Sequence, residues 1–107
     1  MTYTDAIEKL KNSQLSPGEL SELKSWMSGE YAYLAGQMAD ILSQKPLEWA
    51  RLREKATSDS QTERAWETTS EGKFELVARY RMKGLEKMIS ACNTRIRILE
   101  GEMKNQF

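Results

Sequence analysis

The sequence predicts an all-α protein: a long antiparallel helical hairpin of coiled-coil type, preceded by a short N-terminal helix and assembling into a homo-oligomer. Three observations lead there. Met82, Leu85, Ile89, Cys92, Ile96, Leu99 and Met103 follow one another at steps of three and four. That spacing lays them along one stripe of an α-helix and is the seam pattern of helical bundles. The chain has only two prolines and six glycines, too few for a turn-rich all-β fold. Hydrophobic residues make up 39% and charged residues 30% of its 107 residues, a balance suited to solvent-washed helices. The length is that of one domain, 1–107.

The first helix is expected over residues 5–12, where Asp5 and Glu8 have capping-box spacing and Ile7 and Leu10 form a small apolar face. Ser16-Pro17-Gly18-Glu19 then starts the second helix. Ser16 can accept from a free backbone N–H, Pro17 has no hydrogen bond to lose at the first helical position, and Glu19 completes the box. Leu20, Leu23, Met27, Tyr31, Leu34, Met38 and Ile41 share one side of this helix, with Leu42 beside them. Gly29 and Gly36 interrupt it, each costing up to about 1 kcal/mol against Ala. Pro46 removes a backbone donor, so residues 17–56 read as a helix kinked near Pro46 or as two abutting helices. The polar stretch 57–62 is the turn. Ser60 with Glu63 is expected to cap the next helix, over residues 61–104, which 68–72 loosens or breaks. Leu76, Val77, Tyr80, Met88, Ala91 and Ile98 widen the apolar face beyond the stripe. A two-helix hairpin seldom buries enough surface by itself, so the first helix and a second copy are expected to cover the remainder.

Net charge is zero, from 16 basic and 16 acidic residues, but residues 76–107 carry seven basic and three acidic side chains. There is no histidine, and neither a phosphate-binding glycine loop nor zinc-ligand spacing is seen. The reading is therefore non-enzymatic, with no metal and no cofactor. Glu63, Glu67, Glu71 and Glu75 recur every four residues and read as a solvated face before a cation site. The single cysteine, Cys92, lies in the stripe as a small buried hydrophobe and fits a reducing, cytoplasmic setting. No signal peptide and no membrane span are visible.

Two constellations point outward. Arg79, Lys83, Lys87, Arg97 and Lys104 fall opposite the stripe, with Ser90, Thr94 and Gly101 in the gaps. Such a basic ridge can follow a phosphate backbone without base specificity, or it can simply be the solvated face of the helix. Trp49, Arg53, Arg64 and Trp66 bracket the turn. They form either a partner-binding tip, since Trp and Arg dominate binding hot spots, or an aromatic plug that closes the hairpin.

The segments Trp49-Ala50-Arg51-Leu52-Arg53, residues 57–62 and Arg64-Ala65-Trp66-Glu67 resemble small helical proteins encoded by tailed bacteriophages. So do Leu85-Glu86-Lys87-Met88-Ile89-Ser90, Thr94-Arg95-Ile96-Arg97 and the ending Asn105-Gln106-Phe107. The similarity is one of general texture over the C-terminal 60 residues and brings no catalytic residue with it. It implies a phage or prophage origin and, with it, the host cytoplasm as the place of action. The first functional expectation is a binding protein that contacts nucleic-acid phosphates through the ridge. The alternative is a protein-interaction module that blocks a host or defence protein.

Overall fold

The structure, a computed structural model, describes residues 1–105, with side chains to residue 102. It is all-α, as the stripe spacing predicts. Four helices follow in order: α1 Tyr3–Leu10, α2 Pro17–Lys55, α3 Asp59–Thr68 and α4 Ser70–Asn105, with no strand among the described residues. No helix among them is long and apolar enough to cross a membrane. They form two compact units: Met1–Ala32 with Arg81–Phe107, and Tyr33–Tyr80.

The first unit holds α1, the start of α2 and most of α4. Leu20, Leu23 and Met27 of α2 are buried, as are Leu85 and Cys92 of α4, Ala6 of α1 and Leu15 of the connector. Met82, Ile89, Ile96 and Leu99 are half-buried beside them, while the side chain of Met103 lies outside the described residues. The stripe is thus packed within this unit. Its strands of helix run antiparallel: the Tyr31 hydroxyl donates to Glu86 at 2.7 Å, and Lys24, two turns earlier on α2, acts electrostatically on Cys92, further along α4. Arg95 fastens α1 by donating to the carbonyls of Leu10 at 3.1 Å and Asn12 at 2.6 Å. These carbonyls lie at the end of α1 and the start of its connector, where a helix leaves acceptors unpaired.

The second unit holds the rest of α2, all of α3 and the first turns of α4. Its buried apolar side chains are Leu34, Trp66 and Ala78. The fully buried Thr62 turns its hydroxyl back to the Ser58 carbonyl at 3.0 Å.

Helix starts differ from the sequence expectation where two caps compete. At α1 the reciprocal box is Thr2 with Asp5, not Asp5 with Glu8. The Asp5 N–H donates to Thr2 Oγ1 at 3.1 Å and the Thr2 N–H to Asp5 Oδ2 at 2.9 Å, moving the helix from 5–12 to Tyr3–Leu10. At α3 the cap is Ser58, not Ser60. Its hydroxyl accepts from the Gln61 N–H, while Gln61 Oε1 accepts from the N–H and hydroxyl of Thr57. The expected box of Ser16 and Glu19 forms at α2, with both hydrogen bonds in place.

Two longer-range expectations resolve to one of their alternatives. α2 runs unbroken through Pro46, so there are no two abutting helices. Pro46 is exposed, and the carbonyl it leaves without a donor can turn to water. The helix expected over 61–104 breaks within the stretch 68–72, at Thr69, whose ψ of 158° is extended. Thr69 caps both neighbours: its hydroxyl donates to the Trp66 carbonyl at 2.6 Å and accepts the Gly72 N–H at 2.9 Å. Gly72 permits the corner, because a Cβ there would run into the Trp66 carbonyl. Gly29 and Gly36 have open space above them and need no close neighbour.

These glycines are expected to respond oppositely to alanine. Gly29→Ala stabilises by about 0.5–1 kcal/mol through helix propensity, whereas Gly72→Ala destabilises by about 2 kcal/mol or more because backbone must move. Chemical denaturation followed by circular dichroism measures both, and a neutral Gly72→Ala would contradict the tight corner.

Candidate functional site

The tip residues fall into two groups. Arg53, at the end of α2, donates to Asp59 at 3.1 Å and to the Ala56 carbonyl at 2.8 Å, so it locks the turn into α3. Arg64 is exposed and Trp49 half-buried. Trp66 is only 2% exposed and lies in the core of its unit. The aromatic-plug reading describes Trp66; as a partner-facing residue it is misplaced, since an indole of this size stabilises most when it leaves water entirely.

What holds Trp66 is a carboxylate that the sequence reading placed on a solvated face. Glu75 is buried, its side chain 8% exposed, and three helices converge on it. Trp66 Nε1 of α3 donates to it at 2.7 Å. Lys45 Nζ of α2 reaches both carboxylate oxygens at 3.2 and 3.3 Å, and Arg79, one turn along α4, donates at 3.0 Å. Lys45 also lies over the rings of Trp66 and Trp49, at 5.2 and 5.8 Å from their centroids. Burial pushes the Glu75 carboxyl up, but the indole and ammonium hydrogen bonds and the charges of Lys45 and Arg79 outweigh it, holding Glu75 below the usual glutamate range. A cavity of about 100 Å³ touches this group between Glu63, Glu67 and Leu76. The break at Thr69 takes Glu63 and Glu67 onto α3 and leaves Glu71 and Glu75 on α4, so the four never share one helix face. No group of acids that could hold a metal occurs among the described residues.

The basic ridge is unevenly available. In the second unit Arg79 is exposed but ion-paired with Glu75. In the first unit Lys83, Lys87 and Arg97 are exposed, along with Ser90 and Thr94, and Lys83 has a partner of its own. The Lys104 side chain lies outside the described residues. Cys92 is buried, and burial pushes its thiol up, away from the thiolate a nucleophile needs.

The surface that sequence reasoning assigned to packing is instead open. Leu76, Val77 and Tyr80 are all exposed, Tyr80 at 67%. Spaced i, i+1 and i+4, they make one patch on α4. Lys73 lies one turn before it and Arg79 beside it, and the only acid of that stretch, Glu75, faces inward. The available signal was periodicity: these residues sit off the Met82–Met103 seam, a position that reads equally as wide core or as exposed patch.

No protein-family model, curated protein or solved structure matches the chain.

Acid should weaken the second unit through Glu75. Because its folded pKa is depressed, its contribution is complete above the ordinary glutamate range and disappears as the pH falls through the folded value. Removing the carboxylate leaves an indole N–H and a half-buried ammonium without their acceptor, so Glu75→Ala should cost about 2–3 kcal/mol at neutral pH. Urea titrations followed by tryptophan fluorescence, at about pH 7 and about pH 3, should show a smaller pH dependence for Glu75→Gln than for the natural chain. Equal pH dependence would remove Glu75 from this role.

Proposed function

We propose that this chain is a non-enzymatic protein-interaction module that works by occupying a partner's surface with the Leu76, Val77 and Tyr80 patch of α4. The observation that supports the reading is their joint exposure on one helix face with basic residues at the rim. Exposed apolar side chains clustered within a polar rim mark interaction sites, and tyrosine is among the residues that most often carry binding energy. Lys73 favours an apolar partner surface with an acidic rim. The resemblance to phage-encoded helical proteins favours a bacterial host protein as the target and the host cytoplasm as its place.

A second reading, contact with nucleic-acid phosphates, draws on the exposed Lys87 and Arg97 with Ser90 and Thr94 between them. It ranks behind the first because Arg79 of the ridge already neutralises Glu75 and the Lys104 side chain lies outside the described residues.

Photo-crosslinking separates the two. With a photoreactive phenylalanine analogue at position 80 or 87 of the full chain, expressed in bacterial cells, the first reading expects one protein adduct from position 80. That protein, purified, should bind the natural chain and lose at least about tenfold in affinity with Tyr80→Ala. Nucleic-acid adducts from position 87, with affinity falling steeply as salt rises, would support the second reading instead.

A further inference from the structure

The outer face of α2 in the second unit is a different surface, and it is short of charge. Between Tyr33 and Ala50 the charged residues are Asp40, Lys45 and Glu48. Lys45 turns inward to Glu75, and Glu48 pairs with Arg51 on its own helix at 3.1 Å. Asp40 is left as the exposed charge of this stretch. An exposed helix face is normally covered in charge. This one shows Tyr33 and Leu47, and Leu47, at 76%, is the most exposed large apolar residue among those described. Gly36, Ala39, Ser43 and Ala50 surround them, all exposed.

We propose that this face pairs with the same face of a second copy of the chain, the two α2 helices crossing antiparallel about a two-fold axis near Ser43. Self-pairing requires a surface that does not repel itself, because in a two-fold dimer every group meets its own mirror set. A nearly uncharged face satisfies that condition, whereas the charged ends of α2 do not. A crossing at Ser43 sets Leu47 of each copy over Ala39 of the other and Ala50 over Gly36. Large residues then enter gaps left by small ones, as helix packing requires. The same crossing sets Asp40 against Pro46, away from the second Asp40. The pairing also takes Leu47, the most exposed of the unit's large apolar side chains among the described residues, out of water.

Sedimentation and light scattering of the full chain over a concentration series test this. The natural chain should dimerise by concentrations on the order of 100 µM. Leu47→Glu and Ala39→Glu should each raise the dissociation constant by at least about tenfold at unchanged helix content, since both positions are exposed on a helix exterior. Thr94→Glu, on the first unit, should leave it unchanged. Ser43→Cys, treated with a mild oxidant, should link two copies into a covalent dimer, and the natural chain should not, because Cys92 is buried. Three results would each overturn the proposal: a chain that remains monomeric, a dimer that survives both Glu substitutions, or Ser43→Cys copies that do not cross-link.

Discussion

Three helices of the second unit meet at one carboxylate. Glu75 takes an indole N–H from α3 and an ammonium from α2, with a guanidinium from its own helix. A buried ion pair is a weak source of net stability, since desolvation offsets most of its attraction. Its value here is geometric. Each donor fits in one arrangement, and that arrangement fixes how α3 lies across the other two helices. No buried side-chain polar atom of the described residues lacks a hydrogen-bond partner, so the cluster is fully satisfied. The corner at Thr69 and Gly72 works with it. α3 can present Trp66 to Glu75 only because the chain turns sharply, and the turn is possible because position 72 has no Cβ.

The apolar seam works differently. In the first unit Leu20, Leu23, Met27, Leu85 and Cys92 remove their side chains from water without needing a directional partner. Polar contacts there lie at the margins, where Tyr31 reaches Glu86 and Arg95 closes the end of α1. One unit is therefore organised by area and the other by hydrogen bonds. Their surfaces differ as well. The hydrophobic residues of the first unit are largely consumed in its core, whereas Tyr33, Leu42, Leu47, Leu76, Val77 and Tyr80 of the second remain outside.

Legibility in the sequence follows the same division. Seam residues repeat, and repetition is visible in a single chain: the steps of three and four from Leu20 to Leu34 and from Met82 to Leu99 locate residues that are buried or half-buried. The box of Ser16 and Glu19 is legible because no other cap competes with it. Around Ser58 and Ser60, and again at Thr2 and Asp5, several hydroxyls and carboxylates stand at cap spacing, and tertiary context decides among them. Glu75 is the residue periodicity misplaces most clearly. Its i−4 neighbour Glu71 shares the helical pattern and is exposed. What separates the two is the position of Lys45 and Trp66, 30 and 9 residues away, which only the folded chain brings together.

The same reasoning bears on where the chain is expected to touch others. A ridge of cations is easily found in a sequence because charge is explicit there, but its availability depends on what each cation already holds. Arg79 illustrates this: it looks outward in the helical projection, yet it is ion-paired with an internal carboxylate. An apolar patch is harder to find, because Leu76, Val77 and Tyr80 read as core until a fold leaves them uncovered. Once they are uncovered, water contact with them is unfavourable whatever the partner, and the free energy released by covering them is available to any surface of matching shape. On the proposed reading, specificity would come from the rim, where Lys73 adds charge beside the apolar patch. On that reading, affinity and selectivity on this face would reside in different residues of the same helix.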